Sequence, residues 1–328
     1  MRLDRSGWSG RGRRRGWPAR RIYILVSVLC ASGFIVAIAL WPRKATTPRS
    51  HSSLRAAPSA ELIAATRVSS ATFQSHLVRT IQEQGHLTVT LHVGLTDGEA
   101  SPSKFTNGND PRTNLCWGAL YGVDTHMANA AGWRRFYGDK GDGKRIIRRS
   151  IFSRRVTPSA EWVAAGVDQP FDVYVLANAW PASRLRDAMS QPIRDACADG
   201  PVVVTHDGMS LAFGSASCMV GYLGPNAMAD AYWDPFEACK SGGHPRIGLF
   251  YLSSMSAVYL YGSAVRHGFY PVLFARLPIV PEAYLFDGMM QALLEGELDE
   301  GFLDSAARAY AKYQKSVPAE SAASMLYQ

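Results

Sequence analysis

The chain has no CxxC or HExxH element, and no P-loop or G-x-G-x-x-G follows a predicted strand. Structural or catalytic zinc, thioredoxin-type redox chemistry and a bound nucleotide therefore lack the residue patterns they need, and no metal or cofactor is expected. Cysteine is sparse, with 5 in 328 residues, and there is no long single-residue tract. With 47% of residues apolar and 19% charged, the composition is that of a globular chain with room for one large domain or two smaller ones. Beyond its first fifty residues the chain also lacks excess charge of either sign. Residues 1–50 hold 11 of the 35 Lys and Arg and one acid, Asp4, which leaves 24 bases against 26 acids over residues 51–328, a net charge of −2. Phosphate neutralisation needs clustered excess base on the folded part, so nucleic acid is not an expected partner.

What the first fifty residues do hold is a membrane signal. Residues 22–41 are 20 consecutive uncharged, mostly apolar residues. As a helix rising about 1.5 Å per residue they would reach about 30 Å, the thickness of a hydrocarbon core. Eight arginines precede this stretch and four bases, Arg43, Lys44, Arg49 and Arg55, closely follow it. The asymmetry predicts a basic cytoplasmic tail at 1–21, one transmembrane helix at 22–41, and everything beyond on the extracytoplasmic, periplasmic side of the inner membrane. Cleavage after the small-x-small run Ala37-Ile38-Ala39 is the alternative, although the apolar stretch exceeds an ordinary signal-peptide core. Of the exported cysteines, Cys116, Cys197, Cys218 and Cys239, the even number allows disulfide pairing in an oxidising compartment.

Residues 42–57 are rich in Pro, Ser, Thr, Arg and Ala, and with a helical linker over 59–83 they form a predicted stalk running to residue 85. The domain proper, 86–328, alternates short apolar runs with helical stretches. Strands are predicted at 87–95, 171–177, 202–205, 247–252 and 272–274, and helices at 114–127, 183–197, 282–294 and 301–313. Residues 133–155 carry nine Lys and Arg against Asp139 and Asp142, which predicts a solvated edge strand guarded by charge or a surface for anionic polymer. The alternation predicts an α/β fold with a mostly parallel sheet flanked by helices.

Ligands of such sheets sit beyond the carboxyl ends of the strands, where this sequence is polar. The candidates are Asp97 and the loop Asn107-Gly108-Asn109-Asp110-Pro111 after the first strand, Asn178 and Trp180 after the second, His206-Asp207-Gly208 after Val-Val-Val-Thr, and Ser253-Ser254 after the next. A histidine at a strand tip suits general acid or base work, and a serine hydroxyl within its reach could be activated as a nucleophile. His206 is thus the candidate base, Ser253 or Ser254 the nucleophile, and Asp207 or Asp110 an orienting carboxylate. Gly214-Ser215-Ala216-Ser217-Cys218 is not a nucleophile elbow, because no glycine stands at its last position.

The order His206, Gly208, then a core strand ending in Ser253-Ser254 resembles the caspase and gingipain fold, in which one strand ends in His-Gly and the next in the nucleophilic cysteine. That resemblance implies a caspase-like or Rossmann-like three-layer sandwich over roughly residues 87–280 and a peptidase-like site, with serine standing where the family has cysteine. The segment from Asn107 to Gly118, with its Asn114-Leu115-Cys116-Trp117, together with a later His-Asp-Gly-Met, is similar to an uncharacterised bacterial family. It draws Asn107, Asn109, Asp110, Asn114 and Trp117 in as substrate-binding candidates with Asn178. Two functions follow as expectations: an atypical or degenerate hydrolase, or a non-catalytic periplasmic module that binds a peptide or an envelope glycan.

Overall fold

A computed structural model describes residues 68–98, 103–229, 231–239 and 247–328. The predicted membrane span, the basic tail and the predicted stalk up to residue 67 lie outside the described residues. Within them no helix is long and apolar enough to cross a membrane.

In chain order the elements are α1 (Ser70–Gln84), β1 (His86–Gly94), α2 (Val123–Asn129), β2 (Arg134–Asp139), β3 (Arg148–Val156), α3 (Ala160–Ala164), β4 (Phe171–Trp180), α4 (Leu185–Ala196), β5 (Val202–His206), β6 (Met209–Phe213), β7 (Met219–Leu223), β8 (Gly248–Leu252), α5 (Gly262–Arg266), β9 (Tyr270–Ala275), α6 (Ala283–Glu295), α7 (Glu300–Tyr313), α8 (Ala319–Ser324) and β10 (Leu326–Tyr327). Eight of these strands make one sheet among the described residues, in the order β10-β9-β8-β7-β1-β4-β3-β2. The five central strands, β9, β8, β7, β1 and β4, run parallel. At one side β3 and β2 form an antiparallel hairpin, and at the other β10 lies antiparallel to β9. The mixed α/β architecture with a mainly parallel, helix-flanked sheet is therefore as the alternation predicts.

Both faces are covered. On one, Leu87, Val89, Leu91 and Val93 of β1 join Val173, Val175, Ala177 and Ala179 of β4 in a core packed by α1, α6 and α7. Helix α1 is local in origin: Ser69 caps it by accepting from Thr72 N, and Gly85, at φ 70°, ends it in the left-handed conformation. Its Phe73, Leu77 and Ile81 are buried in the core, each contributing roughly 1.5–3 kcal/mol. The other face buries Val220, Tyr222, Leu249 and Tyr251 under α4 and α5.

Two sequence expectations need correction. The run at 202–205 is not a core strand: β5 pairs with β6 alone, in a separate two-stranded sheet. An apolar run of this length fits a core strand and a hairpin arm equally well. The helix expected over 114–127 forms only at Val123–Asn129; residues before it make a chain of turns around Asn114.

Candidate functional site

At the carboxyl edge, the chain runs from β1 out to β4 and then returns to β7 on the other side of β1, so the topological switch lies between β1 and β7. The crevice there is filled. A Cβ on Gly94 would lie 2.2 Å from the Tyr222 hydroxyl, and one on Gly224 would lie 2.7 Å from the Gly94 carbonyl oxygen. Tyr222 itself donates to the Pro225 carbonyl at 2.8 Å.

The Asn107–Gly118 segment reaches this edge but spends its polar groups on itself. Asn114 is fully buried: its Oδ1 accepts from Thr96 N and Cys116 N, and its Nδ2 donates to the carbonyls of Thr96 and Asn107. It fixes the loop to the end of β1. Asn107 Oδ1 accepts from Asn109 N, an Asx turn that leaves Asn109 exposed. Asp110 takes both Nε and Nη2 of Arg112 at 3.0 Å, and these hydrogen bonds hold its carboxyl below the usual range. Trp117 is buried in the core. Asn178 and Trp180 lie within β4 rather than beyond it.

Ser253 and Ser254 do follow β8 directly. Ser254 Oγ donates to the Ile279 carbonyl and accepts from Ile279 N, both at 3.1 Å, which ties this turn to the segment after β9. Ser253 is fully buried and its Oγ has no hydrogen-bond partner among the described residues. Cys116 and Cys218 are buried thiols, each pushed up to about 12 by burial. Neither thiol is poised as a thiolate. Beyond β9, Glu282 stands at the N-terminal boundary of α6 without its carboxyl bonding the helix N–H groups; burial pushes that carboxyl up to about 7 against the hydrogen bond with Tyr284.

His206 ends β5 at a tight turn. Asp207 (φ 47°) and Gly208 (φ 78°) both lie in the left-handed region, the signature of a two-residue Asp-Gly hairpin turn. The imidazole packs 5.2 Å from the Phe136 ring and 5.1 Å from that of Tyr137, both on β2, and its Nε2 is 3.3 Å from Asp207 Oδ2. Strand β2 is five places from β8, about 24 Å of sheet at about 4.8 Å per strand. The structure does not bring His206 and Asp207 together with Ser253 and Ser254.

It does assemble a polar row that the strand-end reading passes over. Across four strands, His92 pairs in register with Asn178, Asn178 with Arg149, and Arg149 with Asp139. His92 is buried; its Nδ1 accepts from Trp180 Nε1 at 3.0 Å, which leaves the ring proton on Nε2 to donate to Asp195 Oδ2 at 2.9 Å. Gln191 donates to the other Asp195 oxygen at 2.7 Å. Burial works to raise the Asp195 carboxyl, but its bonds from His92 and Gln191 and the charge of Arg149 outweigh this, and it titrates below the usual value. Asp139 is likewise engaged, by the Tyr137 hydroxyl and Gly141 N. The donors left over belong to Arg149 and Asn178: Arg149 Nε binds Asn178 Oδ1 at 3.0 Å, and the two terminal guanidinium nitrogens and the Asn178 amide nitrogen have no partner among the described residues.

The signal for this row was the period-two alternation Thr88, Thr90, His92 in β1. A parallel strand covered on both faces ordinarily reads as continuous apolar sequence, so polar residues on one face mark a polar layer above it. Compared with family models, curated proteins and solved structures, the chain matches none.

Proposed function

We propose that the chain is a membrane-anchored extracytoplasmic domain that binds a carboxylate-bearing envelope polymer without cutting it. The doubly wound order of the parallel strands, with both faces covered, supports a three-layer Rossmann-like or caspase-like sandwich. Catalysis has less support. A serine needs a base within hydrogen-bond reach, and the candidate base sits across the sheet from Ser253. The disulfide Cys197–Cys239 supports an oxidising compartment.

The observation that carries the binding reading is the unused donor set of Arg149 and Asn178, held in one plane of register beside saturated carboxylates. A planar guanidinium with both terminal nitrogens open matches a carboxylate bidentately. The test uses two fluorescent probes, oligoglutamate and oligogalacturonate, one a peptide and one a glycan. Wild-type protein should retain at least one of them, Arg149→Gln should release it, and the probe should stay intact. Retention of neither overturns the binding reading. Probe cleavage that stops on Ser253→Ala restores the hydrolase.

A further inference from the structure

The hairpin β5–β6 lies across the sheet, and its placement decides what borders the polar row. Thr88 Oγ1 donates to the Ala212 carbonyl and the Tyr174 hydroxyl contacts Met209 Sδ, so β6 runs over the Thr88–Tyr174 row. His206 sits on Tyr137, which belongs to the next row, Thr90–Leu176–Ile151–Tyr137. At the hairpin base, a Cβ on Gly214 would stand 3.5 Å from Asp195 Cβ and 3.6 Å from a methyl of Val202. Strand β5 is therefore the arm nearer the row His92–Asn178–Arg149–Asp139. Its four residue steps of about 3.3 Å match the three strand spacings of about 4.8 Å that the row crosses.

This edge of β5 is bare. The two-residue turn makes His206 and Met209 a hydrogen-bonded pair, and antiparallel alternation then makes Val204–Leu211 and Val202–Phe213 the other bonded pairs. Val203 and Thr205 consequently turn their N–H and C=O outward, toward the row. No backbone partner is found for them among the described residues. The arm is also apolar where it is open, with Val203 59% and Val202 37% exposed. By contrast, the exposed end of the large sheet at β2 carries Arg134 and Arg135, the usual guard against pairing.

We infer that β5 is a docking edge for an extended peptide, which adds as a third strand along Val203 and Thr205 and lays a carboxylate on Arg149 and Asn178. The inference rests on the binding reading above and narrows its ligand to peptide. Two independent complementarities define that occupant: alternating backbone donors and acceptors along the free edge of β5, and a guanidinium with open terminal nitrogens in the neighbouring row. Lys140 and Lys144, on the β2–β3 connection, have no ion-pair partner among the described residues and favour the same sign of ligand.

The test is selection from a library of random heptapeptides with free carboxyl termini against the full-length protein in detergent, followed by affinity measurement on the enriched sequence. Val203→Pro and Thr205→Pro each delete one outward N–H, which an edge strand tolerates, and each should weaken binding at least about tenfold. Methylating alternate backbone nitrogens of the peptide should do the same, a measurement that needs no folded variant. Arg149→Gln should weaken it comparably. Peptides that depend on Arg149 yet ignore both prolines and N-methylation would overturn strand addition while the binding reading stands. Absence of any enriched peptide overturns the peptide assignment, whereas retention of oligogalacturonate still decides the binding reading separately. Concentration-dependent dimers that Thr205→Pro abolishes would give the edge to a second copy of the chain and likewise overturn the inference.

Discussion

Glu282 offers the most quantitative check on the packing of this fold. Its carboxyl titrates near 7 in the folded protein, against 4.5 for an exposed glutamate, because burial after β9 outweighs the hydrogen bond with Tyr284, which works to lower it. A raised carboxyl means that the folded state holds a proton the unfolded chain has lost. Stability from this group is complete below pH 4.5 and is lost as pH rises toward the folded value of about 7. That displacement corresponds to about 3 kcal/mol at its limit, most of it falling between pH 5 and pH 8. Glu282→Gln keeps the shape and the acceptor for Tyr284 but cannot ionise. Urea unfolding of wild type and variant at both pH values should show little difference at pH 5 and a variant more stable by about 2–3 kcal/mol at pH 8. The double difference removes every other titrating group. Equal stability of the two proteins at pH 8 would refute the burial argument.

Two further outcomes follow from the hydrogen-bond geometry and a third from the disulfide. Asp195→Ala leaves the His92 Nε2 proton buried without an acceptor and should cost about 3 kcal/mol; because the carboxyl is depressed, that difference should persist above pH 3.8 and fade as pH falls through the lower folded value, as read by denaturant midpoints. Ser254→Ala loses two bonds to the Ile279 backbone and should cost about 1–2 kcal/mol, whereas Ser253→Ala removes an unpartnered buried hydroxyl and should leave the thermal midpoint unchanged or raise it. Alkylation of denatured, unreduced protein followed by mass spectrometry should label Cys116 and Cys218 and spare Cys197 and Cys239.

The sequence shows the scaffold more openly than the site. Strands β1, β4, β8 and β9 and helices α4, α6 and α7 announce themselves by local pattern, because burial imposes a period on each. His206-Asp207-Gly208 misleads because a histidine at a strand tip and an Asp-Gly hairpin turn share the same letters; the left-handed φ at both turn residues decides for the hairpin. The bonding of Ser254 to Ile279 and of Asn114 to Thr96 spans 25 and 18 residues, and nothing local to either serine or asparagine records its partner. The row from His92 to Asp139 depends on register across four strands, which no single segment encodes.

The Cys197–Cys239 bond closes a ring whose ends are 42 residues apart, and the ring contains β5, β6 and β7. Closing a loop of that length restricts the unfolded chain by about 4 kcal/mol on the chain-entropy account. In a reducing compartment that contribution disappears, and it is a large share of the roughly 5–15 kcal/mol that holds a typical domain together. Copies in such a compartment would spend more time unfolded and meet proteases more often, while copies in an oxidising one are locked once the bond forms. The bridge thus couples the lifetime of the protein to where it is, a form of quality control that needs no dedicated recognition signal.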